Sequence, residues 1–466
     1  MTTSHTTSHT TPPRSVSAGP DTARRAAQAA TAIAERLGPE VVSTDAELLL
    51  KTSSDWSRMS PILQEKVPAG RYLPDAVVRP RSAAEVAEVL KIAYEYDVPV
   101  TPRGSGTGNY GQATPFDGGL VLDLRGLDAI RVNDSGTVTA GAGAKITAID
   151  AAARAAGRDI WIYPSTKGST IGGFVGGGSA GTGTIERGST SDGFVLSLTV
   201  APMDGSGTTF TVSGPDVTPY VHVYGVTGVV VELEIATDPA RDWVAVYAAF
   251  DDWASMTDVH RSLLDLPVLP RLASADPPAL VPSLPAAVPL DPARHSLRVI
   301  AEASTVAEVE ARVVAAGGTV VASLADYAET DRLSSMSYNH PVYFLQKAHP
   351  DRSWFHMETG GLAHWERPEE VRAVYDGEVH LHLELMGKAP LAMVVADYVS
   401  EEEVLAGIPR LEALGLGVHS PHQWYVDRHV DLAREVARTT DPKGLLNPGK
   451  LVDAPPVDTR VNIGVR

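Results

Sequence analysis

The chain has 466 residues, of which 43% are hydrophobic and 21% are charged, which is typical of a globular protein with two or three domains. A formal net charge of −18, without a dense run of Lys or Arg, excludes a basic nucleic-acid-binding surface. The sequence has no cysteine, which excludes disulfides, cysteinyl flavin and iron–sulfur clusters held by this chain.

The first 20 residues are polar and repetitive, which predicts a disordered tail whose His5 and His9 are incidental. Arg24 and Arg25 precede an apolar run that Glu35 soon interrupts, which favours an amphipathic surface helix over a twin-arginine export signal. No window approaches 18 uninterrupted apolar residues. We therefore expect no membrane span and a soluble, cytoplasmic protein.

A helix, a strand and a glycine-rich loop are predicted next. Ser82 and Glu85 form a capping box ahead of apolar residues at helical spacing, and "VPVTP" is typical of a buried strand. The stretch "RGSGTGNYG" then matches the G-x-G-x-x-G dinucleotide fingerprint in spacing. A Rossmann site would place a helix after this loop, whereas Pro115 and two glycines lead into an apolar strand. This order excludes a Rossmann nicotinamide site.

A second glycine-rich segment follows several short strands. The strands are "LVLDL", "IRVND" and "TVTAGAG", and a helix is predicted from Ile146 to Ala156. The segment "GSTIGGFVGGGSAGTG" is interrupted by Ile171, Phe174 and Val175. These apolar residues favour a packed loop that brings its backbone close to a ligand over a flexible linker.

The second half of the chain predicts an α+β unit with an antiparallel sheet. A Pro-rich connector, "ADPPALVPSLPAAVPLDPARH", cannot form regular structure. Around it we expect the strands "SLRVIAEA", "TVVASL", "HLHLEL", "LAMVVADYV" and "GVHSPHQWYV". Capping boxes at Thr305 with Glu308 and at Ser400 with Glu403 start helices. A last helix is predicted from about Asp427 to Thr440.

Four motifs in order, "VPVTPRGSGTGNYGQATP", "YPSTKGSTIGGFVGGGSAG", "VYGVTGVVVELEI" and "DPKGLLNPGK", resemble the flavin-binding fold of the vanillyl-alcohol oxidase and p-cresol methylhydroxylase (PCMH) family. The length and "SYNHPVYFLQKAHPD" resemble the branch that contains glycolate oxidase subunits and D-lactate dehydrogenases. The resemblance implies an α+β fold with a two-subdomain PCMH-type FAD-binding domain over residues 21–238, a substrate cap over 239–410, and a segment over 411–466 that returns to the FAD domain.

The resemblance also implies that backbone N–H groups of the loops hold the FAD pyrophosphate and ribityl chain, with glycine wherever the backbone contacts the ligand. The implied cofactor-binding residues are Pro102, Arg103, Gly104, Ser105, Gly106, Thr107, Gly108, Asn109, Pro164, Ser165, Thr170, Gly172, Gly173, Gly178, Ser179, Gly181, Gly228 and Val230, with Asn447 and Lys450 closing the site from the C-terminal segment.

Noncovalent FAD is the expected form. Relatives with an 8α-histidyl flavin carry a histidine in the first loop, where this chain has Asn109 and Tyr110. An attachment through His340, His380 or a cap tyrosine is the alternative.

Candidate catalytic groups lie on the predicted cap strand "GEVHLHLELMG". Strand alternation places His380, His382 and Glu384 on one face. Such a face could bind a divalent metal such as Zn²⁺ or could be a solvated sheet face. The family's H-x-G-D-G-N-x-H and E-H-G patterns are not kept, which weakens the metal hypothesis.

Further candidates are His340 in "SYNHP" and His419, His422 and Tyr425 in "GVHSPHQWYVD". The latter segment precedes the return to the flavin, a position that suits a general base or a substrate anchor. The alternative for each histidine is a hydrogen-bonded interior position.

We expect an FAD-dependent oxidoreductase that oxidises a small 2-hydroxy acid by hydride transfer to flavin N5, with oxygen, a quinone or a partner protein as the electron acceptor. A phenolic or benzylic alcohol oxidase using Tyr338, Tyr343, Tyr425 and Arg428 is one alternative. A non-catalytic flavoprotein subunit is another. No nucleic-acid partner is expected, and a homo-oligomer is compatible with the sequence.

Overall fold

The structure is a computed structural model that describes residues 20–286 and 288–452. The predicted tail, including His5 and His9, lies outside the described residues except for Pro20, and so do the last residues from 453 onward. The helices are α1 (Pro20–Leu37), α2 (Ala46–Thr52), α3 (Pro61–Lys66), α4 (Ala83–Glu95), α5 (Ile146–Ala155), α6 (Ile171–Gly177), α7 (Thr184–Arg187), α8 (Trp253–Ser262), α9 (Val306–Ala315), α10 (Tyr327–Ser334), α11 (His340–Ala348), α12 (Ala363–Glu366), α13 (Pro368–Arg372), α14 (Glu401–Ala413) and α15 (Val430–Thr440).

The strands are β1 (Val42–Ser43), β2 (Ala76–Val78), β3 (Val100–Arg103), β4 (Leu120–Asp123), β5 (Ile130–Val132), β6 (Val138–Gly141), β7 (Arg158–Ile160), β8 (Val195–Ala201), β9 (Phe210–Ser213), β10 (Val229–Ile235), β11 (Thr237–Pro239), β12 (Trp243–Phe250), β13 (Leu272–Asp276), β14 (His295–Glu302), β15 (Thr319–Leu324), β16 (Trp354–Gly360), β17 (Val379–Met386), β18 (Ala389–Asp397) and β19 (Gly417–His419). The mixture of helices with largely antiparallel sheets confirms the predicted α+β class.

Two sheets build the N-terminal half. The first has the order β1-β2-β4-β3, with β2, β4 and β3 parallel, and the second is the antiparallel sheet β5-β6-β10-β8-β9. Helix α1 packs on the first sheet through Ala26, Ala29, Ala30 and Ile33, which are buried at the spacing of one helix face. This confirms the predicted amphipathic helix. The glycine-rich loop after β3 emerges between the two sheets.

The second half forms one antiparallel sheet with the strand order β15-β12-β14-β13-β17-β18-β16-β19. One face packs against α8, α9 and α14 in a large apolar core. The other face is turned toward the N-terminal half, and several hydrogen bonds connect the halves, among them two close to the second glycine-rich segment. The Tyr338 hydroxyl donates to the Gly181 carbonyl at 2.9 Å, and the Thr182 and Ser334 hydroxyls lie 2.6 Å apart.

The second glycine-rich segment differs from the predicted loop because part of it is the helix α6. Thr170 caps this helix by accepting a hydrogen bond from the Gly173 N–H at 3.4 Å. Glycine is required within the helix by close packing, since a Cβ at Gly172 would lie 2.7 Å from the Ala142 Cβ. Capping and close approach therefore outweigh the low helix propensity of glycine.

Three other local predictions need correction. Thr305 does not cap α9, because its hydroxyl donates to the Glu302 carbonyl at 2.8 Å instead. The strand predicted at "GVHSPHQWYV" ends at His419, before Pro421, which has no N–H for a ladder. The last helix starts at Val430 rather than Asp427, because His429 takes a left-handed conformation with φ of 51°.

The C-terminal segment returns to the N-terminal half beside β3. Leu446 pairs with Val100, and the Asn447 side chain donates to the carbonyls of Gln112 and Tyr224, each at 2.8 Å. The Lys450 ammonium donates to the Gly111 carbonyl at 2.5 Å. These contacts support the glycine-rich loop from behind. Within the part of the chain that the structure describes, no helix combines the length and the apolar character that a bilayer crossing requires.

We predict that Asn447→Ala lowers the free energy of unfolding by about 2–4 kcal/mol, because two buried carbonyls lose their donor. Asn447→Gly loses the same bonds but adopts the φ of 41° without strain, so it should be about 1 kcal/mol less destabilising than Ala. Urea unfolding of the two variants measures both quantities. Wild-type stability in both would contradict the support assigned to this side chain.

Candidate active site

The two glycine-rich segments meet through their side chains. The Thr107 hydroxyl lies 2.6 Å from the Ser169 hydroxyl, and the Ser105 hydroxyl donates to the Gly168 carbonyl at 3.4 Å. A Cβ at Gly104 would lie 1.9 Å from Thr170 Oγ1, so only glycine permits this approach. The structure thus brings the predicted cofactor-binding segments together.

Both loops leave backbone donors unused. No N–H from Gly104 to Asn109, or from Ser165 to Gly168, donates a hydrogen bond to another described residue. Except for the exposed Gly168, these residues are only partly exposed. Backbone N–H groups at such positions are normally paired, and clustered unpaired donors form anion-binding sites. The loops therefore fit the FAD pyrophosphate, and Pro164 lies in the same stretch.

The other predicted cofactor residues fall into two groups. Ser179 and Val230 are half-buried, and Gly173 is exposed within α6. The second group is buried and has protein neighbours: Arg103, Gly181, Gly228, Asn447 and Lys450. Arg103 fills the inside of the first loop, and a Cβ at Gly181 would lie 2.0 Å from the Tyr163 carbonyl oxygen. A Cβ at Gly178 would lie 2.7 Å from the Phe174 ring. For this buried group, packing inside the protein already explains the residue type.

A strained segment lies against α6. His222 and Tyr224 have φ of 58° and 55°, which non-glycine residues rarely adopt. Their N–H groups donate to the carbonyls of Val175 and Gly176 at 2.8 Å each. His222 Nδ1 lies 3.1 Å from the Gly178 carbonyl oxygen, so it carries the proton and leaves Nε2 as an acceptor.

A buried ionic cluster joins the first loop, the large antiparallel sheet of the second half and the C-terminal segment. We call that sheet, β15-β12-β14-β13-β17-β18-β16-β19, the cap sheet. His419 Nδ1 lies 2.8 Å from Glu358, and His419 Nε2 lies 2.8 Å from Asp427. The Tyr110 hydroxyl donates to the other Glu358 oxygen. We call these four residues the His419 cluster. Gln423 donates to Asp427 at 3.0 Å and accepts from the Tyr425 hydroxyl at 3.0 Å.

In the His419 cluster, the positive histidine and the two negative carboxylates each stabilise the charged form of the other. Burial opposes the charged form of His419, but Asp427 and Glu358 outweigh it and raise the His419 pKa to about 10. Against the same burial, His419 and Tyr110 lower the Glu358 pKa to about 2, and His419 lowers the Asp427 pKa as well. His419 is therefore an imidazolium at neutral pH with both nitrogens engaged, which does not suit a general base.

A second cluster lies in the cap sheet and is fully buried. His382 Nδ1 lies 2.8 Å from Asp276, and His382 Nε2 lies 2.8 Å from Glu384. Arg298 pairs with Asp276 at 2.6 Å. Despite the cost of burial, the two carboxylates raise the His382 pKa to about 9. Glu384 also accepts from the Tyr338 N–H at 2.7 Å, which connects this His382 cluster to Gly181.

Strand register places both clusters on one face of the cap sheet. Glu358 on β16 pairs with Met393 on β18, which pairs with His382 on β17. Adjacent strands lie about 4.8 Å apart, so the clusters are separated by roughly 10 Å of apolar strand. This face is turned toward the glycine-rich loops, and Ala180 packs against its apolar residues.

The structure does not support the metal hypothesis for His380, His382 and Glu384. Both nitrogens of His382 contact carboxylates, and His380 instead pairs with Glu378 at 3.0 Å. Across residues 20–286 and 288–452, no group of three or more His, Asp or Glu side chains is arranged to bind a metal. Buried imidazolium–carboxylate pairs explain the residue types on this strand.

The remaining predicted residues have varied surroundings. His422 Nδ1 and the Ser60 hydroxyl share a hydrogen bond of 2.6 Å, as expected of an interior histidine. Tyr425 belongs to the network around Asp427. His340 stacks on Phe344 at 5.9 Å, and burial lowers its pKa to about 4.

Several residues of the site were not predicted. Glu358 and His356 alternate along "FHMETGG", so the period that singled out His382 could have found them. His356 is 1% exposed, and neither ring nitrogen has a partner among the described residues. No sequence signal identified His222 or Asp427, whose importance comes from contacts across the chain.

Comparison with known proteins supports this assignment of the loops. Residues 74–213 match the family model described as FAD binding domain. The glycolate oxidase subunit GlcD of Bacillus subtilis is 33% identical over 144 residues, 30% of this chain and 30% of that protein. D-lactate dehydrogenase of Archaeoglobus fulgidus is 34% identical over 130 residues, 28% of this chain and 29% of that protein. These matches span less than a third of the relatives' length.

Solved structures extend the similarity to most of the chain. One structure of alkyldihydroxyacetonephosphate synthase has a TM-score of 0.71 and 15% sequence identity, and the match covers 91% of this chain and 84% of that one. A second structure of the same enzyme has a TM-score of 0.72 and 16% identity, and the match covers 90% of this chain and 86% of that one. At this identity the similarity shows the fold alone. Together the comparisons confirm the resemblance to the PCMH-type FAD-binding fold and FAD as the cofactor.

We predict that Glu358→Gln lowers the free energy of unfolding by roughly 3 kcal/mol at neutral pH, because a buried ion pair loses one partner. The contribution of Glu358 is present above its ordinary pKa of 4.5 and is lost as pH falls toward about 2. The difference between variant and wild type in chemical unfolding should therefore shrink below pH 4.5. The exposed Glu232→Gln is the matched control, and an equal effect in both variants would contradict the ion pair.

Proposed function

We propose that this protein, which carries an FAD binding domain over residues 74–213, is an FAD-dependent oxidoreductase that oxidises the alcohol carbon of a small 2-hydroxy acid. One observation supports this class of substrate above all. The half-buried Arg428 makes no hydrogen bond or ion pair with any described residue, and its charge is close enough to lower the pKa of His222, whose buried Nε2 has no partner. A free cation and a free acceptor next to the Gly178 loop suit an acid that also carries a hydroxyl.

The chemistry follows from these two groups. The Arg428 guanidinium binds the substrate carboxylate, preferably with two parallel hydrogen bonds. The substrate hydroxyl donates to His222 Nε2, which takes its proton as the alcohol is oxidised. Bound FAD supplies the acceptor for the hydride that leaves the alcohol carbon.

Substrate binding also adjusts the base. Burial and, next, Arg428 lower the His222 pKa to about 3, so the imidazole is neutral and ready to accept a proton. A bound carboxylate neutralises the Arg428 charge and raises the His222 pKa toward a more effective value. His356 is a second neutral histidine, but it packs against His422 at 6.1 Å rather than against the glycine-rich loops.

A phenolic substrate fits the site less well. Phenol oxidation needs free donors that stabilise a phenolate, whereas the Tyr110 hydroxyl already donates to Glu358. Tyr338 donates to Gly181 and Tyr425 to Gln423, so these hydroxyls are occupied. Electrons would pass from the flavin to oxygen, a quinone or a partner protein. The expectation of a cytoplasmic protein comes from the sequence alone and is kept as part of this proposal.

We expect the purified protein to be yellow and to lose its colour on acid precipitation, because the loops offer backbone donors and no histidine for a covalent bond. Under anaerobic conditions a 2-hydroxy acid should bleach the flavin, and benzylic alcohols that lack a carboxylate should not. Absorbance spectroscopy measures both. Bleaching by benzylic alcohols alone would contradict the substrate class, and bleaching by neither would favour a non-catalytic flavoprotein.

We predict that His222→Gln lowers kcat by a factor of about 10²–10⁴, the usual range for loss of a general base. Arg428→Met should lower kcat/KM about tenfold or more, mainly through KM, because a charged hydrogen bond is lost. Steady-state kinetics with a dye acceptor tests both. The exposed His349→Gln and Arg438→Met are matched controls, and equal losses in the controls would contradict the assignments.

A further inference from the structure

Four aromatic side chains form a cluster between the N-terminal half and the cap. Trp56 meets Tyr343 edge-on with ring centroids 5.7 Å apart, and Tyr343 lies 5.5 Å from Phe344. His340 stacks on Phe344 at 5.9 Å and lies 6.4 Å from Tyr343. We call these four residues the aromatic cluster. It combines one residue of the N-terminal half with three residues of α11.

The aromatic cluster is only partly covered by protein. All four of its residues are half-buried: protein covers the larger part of each ring, and a smaller part of each stays exposed. Tyr343 and Phe344 pack against the apolar residues of the cap-sheet face, and the exposed Arg58 lies over the Trp56 ring at 3.9 Å. The rings therefore keep contact surface that the described residues do not use.

The aromatic cluster adjoins the candidate active site on two sides. The backbone N–H of Trp56 donates to the carbonyl of Gly108, which belongs to the first glycine-rich loop, at 2.7 Å. Asn339, which precedes His340 in the chain, contacts the Tyr110 hydroxyl of the His419 cluster through its side chain. His340 Nδ1 and Asn339 Oδ1 are buried without a partner among the described residues. One unpaired polar atom thus belongs to a ring of the aromatic cluster, and the other belongs to the residue that links this cluster to Tyr110.

We propose that the aromatic cluster binds an aromatic ring carried by the substrate, so that this protein acts on aryl-substituted 2-hydroxy acids in preference to short aliphatic ones. The inference rests on the proposed function, which it extends from the acid and hydroxyl groups to the rest of the substrate.

The exposed parts of the four rings offer an aromatic surface to a ligand. A short acid such as lactate has a single methyl group and would leave that surface uncovered. An aryl group can make offset or edge-to-face contacts with rings held in the T-shaped and stacked arrangement observed here. His340 Nδ1 and Asn339 Oδ1 can in addition bind a polar substituent on that ring.

The experiment compares two sets of probes on the FAD-loaded full chain. Kinetics with lactate, mandelate, 3-phenyllactate and 2-hydroxy-4-phenylbutanoate vary the ring and its distance from the reacting carbon. Binding of the unreactive phenylacetate and propanoate is followed by perturbation of the flavin spectrum. We expect at least one aryl acid to exceed lactate in kcat/KM by about tenfold to a hundredfold, and phenylacetate to bind more tightly than propanoate by a similar factor.

Variants test whether the rings cause the preference. Trp56→Leu and Tyr343→Leu should each reduce the aryl-to-lactate ratio of kcat/KM at least about fivefold. The half-exposed Tyr398→Leu, elsewhere on the cap, should leave the ratio unchanged. Circular dichroism detects variants that do not fold. If both variants fail to fold, the ratio of phenylacetate affinity to propanoate affinity in the wild type decides whether the site prefers an aromatic ring.

The outcomes separate the two proposals. Equal or better turnover of lactate, with equal binding of phenylacetate and propanoate, would overturn the aromatic preference and leave the proposed function intact. Tight phenylacetate binding without turnover of any hydroxy acid would support the aromatic site and overturn the proposed function.

Discussion

An imidazolium held between two buried carboxylates connects the three parts of this structure. Glu358 and His419 lie opposite each other on the cap-sheet strands β16 and β19, Asp427 comes from the segment that follows, and Tyr110 reaches the same cluster from the first glycine-rich loop. None of these charges could be buried alone, because an unpaired buried ion costs several kcal/mol. The loops, the cap and the returning segment must therefore adopt one relative arrangement for the charges to be satisfied.

This arrangement has consequences for the candidate chemistry. The cap sheet carries two such imidazolium clusters on one face, separated by the apolar residues of β18, and both are connected to the glycine-rich loops. Because the histidines of the clusters are already protonated and engaged, they position other groups instead of accepting a proton. In the proposed function, the neutral His222 and the unpaired Arg428 are therefore the groups that contact the acid and hydroxyl of the substrate.

Local features of the fold could be predicted from the sequence, and long-range pairs could not. Ser82 and Ser400 cap α4 and α14 as expected, because a cap depends on residues three apart. Alternation correctly placed His382 and Glu384 on one face, but it could not show that Asp276, over a hundred residues away, engages the second nitrogen. The left-handed backbone at His222 was also hidden, since only tertiary contacts stabilise that conformation in a residue other than glycine.

The protonation state of His419 tests the central claim most directly. Nitrogen NMR of the protein labelled in its histidine rings, with the signal assigned by comparison with His419→Gln, reports whether both ring nitrogens carry a proton. The structure predicts an imidazolium signal that persists through neutral pH and is lost only as pH approaches about 10. A signal that changes to a neutral imidazole near the ordinary pKa of 6.5 would show that the carboxylates do not hold this histidine, and the account would fail.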